Sequence, residues 1–365
     1  MTKKINAVYI LSNFQELNSG CFQVRMNTPF LELMKMGHKI EYVTLGDYSY
    51  DEIDNDIVIY SRQYTKDPFR SLWKHKLDGK KIVYDLDDDV WNIPELNPAH
   101  ETYKTEKHNI AGMCREADLI TVSTEALKEK VIENTKAENV VVIPNALNLD
   151  KFYVKEKGKD EKLKVAWSGG SNHYEDLLIV LDVIKDLQKE YDFEFVVQGL
   201  CGNPWEADAF TTAMLLKKGD LNEDKEKFTK TKLKVYEKFR SLKNFTHIPF
   251  YPPEMFPEIL SRIGIDIGII PIKGYEFDKS KSIIKYLEYT AVGAATIASN
   301  EPPYTGQVIR TVKNQDNKWF NAIKNLIRDE KKRRELVEEQ KKQLFPKYDI
   351  KTVVKDYEKV LQSLL

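Results

Sequence analysis

At 365 residues the chain exceeds what one hydrophobic core ordinarily fills, so two domains with a cleft between them are expected. Charged residues make up 31%, and 56 Lys and Arg against 57 Asp and Glu leave a net charge of −1, which excludes a protein that coats nucleic acid through a global basic field; a local patch stays open. Cys21, Cys114 and Cys201 are too scattered for a disulfide framework or a C-x-x-C metal knuckle and suit a reducing cytoplasm, and no run approaches the ~20 apolar residues of a membrane span.

In chain order, "MTKKINAVYILSNF" reads as a first β-strand rather than a signal peptide, because its apolar run is short and ends in a polar loop. Helix-like "FLELMKMG" and the strand-like runs "KIEYVTL", "DIVIYSR" and "KIVYDLD" follow, then "ADLITVS", the helical "TEALKEKVIE" and "NVVVIPN". This alternation is the pattern of parallel βαβ units. The charged stretch "LNLDKFYVKEKGKDEKL" closes an N-terminal domain over 1–155, and a second series occupies 160–345. Its strands are "LKVAWSGG", "FEFVVQG", "THIPF", "IDIGIIPI" and "ATIASN", with "PEMFPEILSRI" and "KSIIKYLEYTAVG" as helices. A segment over 207–243 interrupts that series with ten Lys or Arg against six Asp or Glu, and is expected to be a solvated helical excursion or an acceptor or partner surface. The last residues, 346–365, form a closing helix. The fold class is α/β, two doubly wound Rossmann-like halves, and ligands of such sheets bind outside the carboxyl ends of the strands.

Three stretches could carry chemistry at those ends. In "WSGGSNHYEDL", Gly169 and Gly170 lie between a strand and a helix start, where backbone N–H groups can meet an anion; glycine also serves simply to make the turn, and His173 reads first as a cap. In "KIVYDLDDDVWNIP", Asp85, Asp87, Asp88 and Asp89 crowd one strand end, so something must offset their repulsion. A divalent metal, ligand hydroxyls or backbone N–H groups would serve, and hydroxyl recognition or loop capping is preferred because no partner ligands for a metal are in sight. In "FDKSKSIIKYLEYTAVGA", one helix is expected to put Lys281, Lys285 and Glu288 on a single stripe, with Ser282 beside them. The cations and the helix dipole suit a bound anion and the carboxylate suits a diol. The plain alternative is a surface Lys–Glu pair worth ~0.2–0.5 kcal/mol.

Taken together, "SGCFQVRMNTPFLELMKMGHKIEYVT", "ADLITVSTEALKEKV", "VVVIPNALNLDKF", "KVAWSGGSNHYEDL" and "DIGIIPIKGYEFDKSKSIIKYLEYTAVGAATIASNEPPY" resemble the successive landmarks of GT-B glycosyltransferases, most closely the large retaining family 4. The resemblance spans most of the chain apart from the lysine-rich segment. It implies transfer of a sugar, with retention and without a catalytic metal or other cofactor, from a nucleotide-sugar donor bound by the C-terminal domain to an acceptor bound by the N-terminal domain. A saccharide or glycan is the default acceptor and a modified base in DNA the alternative. A nucleotide-sugar epimerase and a non-catalytic GT-B binding subunit are the competing readings. Glu288 matches the glutamate that holds the donor ribose, while Ser280 stands where the family often has a glutamate on the donor sugar. The usual Arg and Lys pair for the pyrophosphate is not evident after Gly170, so Lys281 and Lys285 are its expected substitutes. Asp87 or Asp88 falls where a histidine commonly approaches the reacting sugar. Gly20 would permit close approach to the donor, and Arg25, Asp85 and His173 are expected on the acceptor side.

Overall fold

The structure, a computed structural model, describes residues 3–46, 53–97, 99–200, 214, 223–306 and 309–365. Cys201 and most of the first half of the lysine-rich segment, 207–213 and 215–222, lie outside the described residues. The first sheet comprises β1 (Asn6–Leu11), β2 (Lys39–Thr44), β3 (Ile57–Ser61), β4 (Lys81–Leu86), β5 (Leu119–Val122) and β6 (Val140–Val142), ordered β2-β1-β3-β4-β5-β6. The second comprises β7 (Lys164–Gly169), β8 (Glu194–Gly199), β9 (Phe245–Ile248), β10 (Ile267–Ile270), β11 (Ala295–Ser299) and β12 (Thr311–Val312), ordered β12-β11-β10-β7-β8-β9. Every pairing is parallel. The sequence reason is visible in "IVIY" and "IGII": the central strands are almost continuously apolar and fully buried because helices cover both faces.

Two elements differ from expectation. The helix Glu223–Arg240 is no solvated excursion, since its Val235, Tyr236 and Phe239 are buried in the core of the second sheet. It is the crossover between β8 and β9, and its lysines occupy the outward face of an ordinary βαβ unit. The strand β12 went unread because two residues carry no periodic signal.

The chain crosses between the halves twice. Leu147 forms a parallel bridge with Asp349, its amide donating to the Tyr348 carbonyl and its own carbonyl accepting from Ile350, both at 2.9 Å. Beyond the helix Glu330–Tyr348, the helix Ile350–Gln362 returns to the first domain and buries Ile350, Val353, Val354, Tyr357 and Leu361 against Ala7 and Tyr9 of β1. The closing helix therefore belongs to the N-terminal core. No described helix is long and apolar enough to cross a membrane.

One close approach fixes the edge that faces the cleft. Gly169 pairs with Gly199, the Leu200 amide donates to the Gly169 carbonyl at 2.9 Å, and Gly199 has φ +96°. A Cβ on Gly199 would collide with that carbonyl, which is backbone and cannot swing aside. Gly199→Ala should therefore lower stability by about 2–4 kcal/mol in urea unfolding, from combined strain and clash. Gly46→Ala, with nothing within 4 Å of its Cβ position, should change it by less than about 0.5 kcal/mol.

Candidate active site

At the carboxyl end of β7, Trp167 is buried and its ring lies under the Lys285 ammonium, 5.1 Å from the centroid. A Cβ on Gly169 would fall 3.0 Å from Lys285 Nζ and closer still to the indole, so glycine is what lets this ammonium settle on the strand end. No carboxylate lies within ion-pair distance of Lys285 among the described residues. Burial pushes the amine down to about 8, Lys281 adds to the effect, and Asp176, Glu288 and Asp278 oppose it. The site thus holds a cation whose charge is undercompensated.

The expected single helix is two, Glu276–Lys279 and Ile284–Ala291, with a break at Ser280–Ile283. Ahead of the break, Asp278 fixes the start of the first helix by accepting from the amides of Gly274 and Tyr275 at 3.2 and 3.0 Å. Lys281 is consequently off the stripe: it pairs with Asp278 at 3.4 Å and sits 4.7 Å from the Phe277 ring centroid. Lys285 and Glu288 remain on the second helix. They do not form the surface pair considered from the sequence, and the side-chain carboxyl of Glu288 has no hydrogen-bond or ion-pair partner among the described residues. Burial raises its carboxyl to about 8, with Lys285 pulling it down. The break also docks on the N-terminal domain. Thr124 Oγ1 donates to the Ser280 carbonyl at 2.8 Å, Asn145 Nδ2 donates to Ser282 Oγ at 2.8 Å, and Phe277 enters the core cluster that holds Tyr84 and Ile93. Ser280 Oγ is buried and unpartnered.

The aspartates of β4 divide their labour. Arg25 and Asp85, expected on the acceptor side, are instead a buried ion pair at 2.5 Å, 3% and 0% exposed. Arg25 also donates to the Ile143 carbonyl at 2.5 Å and to Asn145 Oδ1 at 3.1 Å, and Thr121 Oγ1 donates to Asp85 at 2.7 Å. Their partners leave them no lining role; they brace Asn145, which holds Ser282. Asp89 caps its own loop, accepting from the Trp91 amide at 3.2 Å and Asn92 Nδ2 at 2.8 Å. Asp87 and Asp88 are offset by a residue the sequence reading missed, Arg62, whose guanidinium lies 3.2 Å from each. The only signal for it was its place at the end of "DIVIYSR", on the same sheet edge. Cys21, Asp87 and Asp88 could geometrically gather around a metal ion, but Arg62 donates to Cys21 Sγ at 3.1 Å and already faces all three.

His173, expected on the acceptor side, instead follows β7 of the second domain: its Nδ1 is 2.7 Å from Asp176 Oδ2, and Asp176 Oδ1 accepts from the Lys273 amide at 2.8 Å. Burial lowers His173 well below the usual imidazole range, and Lys285 and Lys281 reinforce it, so the ring is neutral with Nδ1–H donating to Asp176. Burial raises Asp88, Arg62 lowers it and Asp87 raises it; Lys281 and His173 lower it from the other domain. Asp88, Lys281, His173 and Lys285 therefore converge, with Gly170 beginning the turn that carries His173. A small pocket beside them is lined by Leu96 and Asn97 from one domain and His173, Asp176, Asp278 and Lys281 from the other. Gly20 is exposed, with nothing within 4 Å of its Cβ position, next to Cys21.

No protein-family model matches the chain, and no curated protein matches it. Solved structures do. Sucrose-phosphate synthase from Thermosynechococcus elongatus superposes with a TM-score of 0.70 at 12% identity, covering 98% of this chain and 99% of that one. An alpha-glucosyltransferase in complex with UDP and a 13-mer DNA containing an HMU base gives 0.66 at 14% identity, covering 98% and 100%. TarM gives 0.55 at 12% identity, covering 84% and 54%. The fold is GT-B, two Rossmann-like domains facing across a cleft.

An unpaired, half-buried carboxyl carries a consequence for stability. Glu288 has its folded pKa raised above the unfolded value of 4.5, so it costs nothing below about pH 4.5 and destabilises progressively as pH rises toward about 8. Glu288→Gln should melt higher than wild type at pH 8 and equally at pH 4, as read by calorimetry.

Proposed function

We propose that the chain is a glycosyltransferase that takes its sugar from a nucleotide-sugar donor seated at the carboxyl end of β7. The observation that carries this reading is the Lys285 ammonium, desolvated and without a carboxylate partner, set against Gly169 beside an equally unpartnered Glu288. A diphosphate would supply the missing anion and a ribose diol the missing donors to Glu288. In transfer, negative charge grows on the departing diphosphate, and a fixed ammonium, the amino end of Ile284–Ala291 and the Gly169–Gly170 turn stabilise it without reorganising. Lys281 adds charge from the break, and Ser282 is held by Asn145 at the same helix start. Asp88, with Asp87 behind it, faces the sugar from the N-terminal domain, and His173 faces it from the other as a neutral acceptor. Fixed cations perform the charge compensation that a divalent metal performs elsewhere, with Arg62 standing among the groups that could ligate one. Retention of configuration follows the family-4 likeness.

Alpha-glucosyltransferases of this fold have been solved with UDP and with UDP-glucose and DNA, so a uridine diphosphate sugar is the first donor to test. Lys285→Ala and Glu288→Ala should each lower kcat/KM at least about 100-fold and abolish the rise in melting temperature that UDP produces in wild type. Unchanged turnover in both variants would remove the site.

A saccharide is the default acceptor. A modified DNA base is the second reading, favoured by the exposed lysines of Glu223–Arg240, which projects Lys227 to within 3.8 Å of Glu95 in the other domain and so reaches the cleft rim. Binding of duplex DNA should then weaken steeply with salt, log K falling by about 0.9 per phosphate contact for each tenfold rise. A flat salt response would leave the saccharide.

A further inference from the structure

Arg62 extends this reading and rests on it for the cleft as the place of reaction. We propose that Arg62 is a positioning residue for the transfer, a built-in cation that holds the Asp88 carboxylate at the cleft face opposite the donor site.

Four observations converge. The first is conformational: Arg62 has φ +52°, a left-handed backbone that a long side chain seldom adopts, while its amide donates to the Asp85 carbonyl at 3.0 Å. From the end of β3 the side chain reaches the aspartates that follow β4. The second is the number of groups one guanidinium gathers. Asp87 lies 3.2 Å and Cys21 Sγ 3.1 Å from Nη1, and Asp88 lies 3.2 Å and the Tyr103 hydroxyl 3.3 Å from Nη2. A lysine could not reach them together, because it offers a single point charge.

The third is asymmetry between the two carboxylates. Asp87 is 8% exposed, and its backbone carbonyl is tied to Ser123 Oγ at 3.2 Å; Asp88 is 23% exposed. Asp87 is the buried anchor and Asp88 the presented group. The fourth is what Asp88 faces. Arg62, Asp87 and Cys21 lie on its own side, and Lys281 and His173 approach from the second domain. A cation that served only to neutralise buried charge would need no opening toward Lys281 of the other domain.

The consequence for ionisation has a definite sign. Burial and Asp87 raise Asp88, and Arg62 is the first among the groups that lower it, ahead of Lys281 and His173. Removing Arg62 must move the Asp88 titration to higher pH, which leaves more of it protonated at neutrality. If an ionised Asp88 serves the reaction, the acid limb of kcat/KM moves up with it.

The test combines carboxylate 13C NMR of aspartate-labelled protein, with Asp88 assigned through Asp88→Asn, and the pH profile of UDP-glucose turnover. Arg62→Ala should raise the Asp88 midpoint by at least about one pH unit and lower kcat/KM at pH 7 about 100-fold. Arg62→Lys should give a smaller shift and about a 10-fold loss, with the limb displaced in the same direction. If Arg62→Ala does not fold, Arg62→Lys decides alone. A lowered melting temperature with the Asp88 midpoint and the acid limb both unmoved would overturn the proposal and leave Arg62 a structural counter-ion. The NMR arm needs no substrate, so a failure of UDP to bind would count against the donor site while the Asp88 titration still answered for Arg62.

Discussion

The site depends on an ammonium held against a strand end with no carboxylate to balance it. Lys285 rests on Gly169 and the face of Trp167, and a cation–π contact supplies ~0.5–2 kcal/mol, less than a buried charge costs. The remainder is borne by the surrounding architecture. Gly169 must be bare to admit Nζ, Gly199 must be bare and left-handed to let β8 lie beside it, and two parallel sheets must be covered on both faces to hold those glycines in place. What is unfavourable in the empty protein becomes an attraction for a ligand carrying the opposite charge.

The two domains meet through the same region. The helix break at Ser280–Ile283 sets Lys281 apart from Lys285, and it also offers the backbone and side-chain groups that Thr124 and Asn145 hold. Asn145 is fixed by Arg25, and Arg25 by Asp85, so a chain of buried and half-buried hydrogen bonds runs from the middle of the first sheet to the start of the donor-side helix. A displacement of one domain would be felt at that helix start. Such polar networks are worth their desolvation only when every member is satisfied, and here the described members are.

Most of the fold was legible because the strands are apolar runs punctuated by glycine and aspartate, and periodicity reports burial. β12 was too short to read. The lysines of Glu223–Arg240 drew attention away from Val235, Tyr236 and Phe239, which show that the helix packs on the sheet. Within the site, Gly169, Lys285 and Glu288 could each be singled out because they follow strand ends of the second sheet, but that the Lys285 ammonium settles on Gly169 could not be read from the sequence. The aspartates of β4 were not separable by sequence: alternation along a strand end tells which residues share a face, not which one finds an arginine. Arg25 and Asp85 are distant in sequence and meet only because the π-helical turn at Gln23–Asn27 points Arg25 at the sheet. Arg62 was invisible for the same reason, since its direction follows from a backbone angle that no residue pattern announces.

The most direct measurement is the structure of the protein crystallised with a uridine diphosphate. Phosphate oxygens are expected within hydrogen-bonding distance of Lys285 Nζ and the Gly169–Gly170 amides, with the ribose hydroxyls on Glu288. A diphosphate bound elsewhere, with Lys285 still resting on Trp167 and Glu288 still without a partner, would contradict this placement.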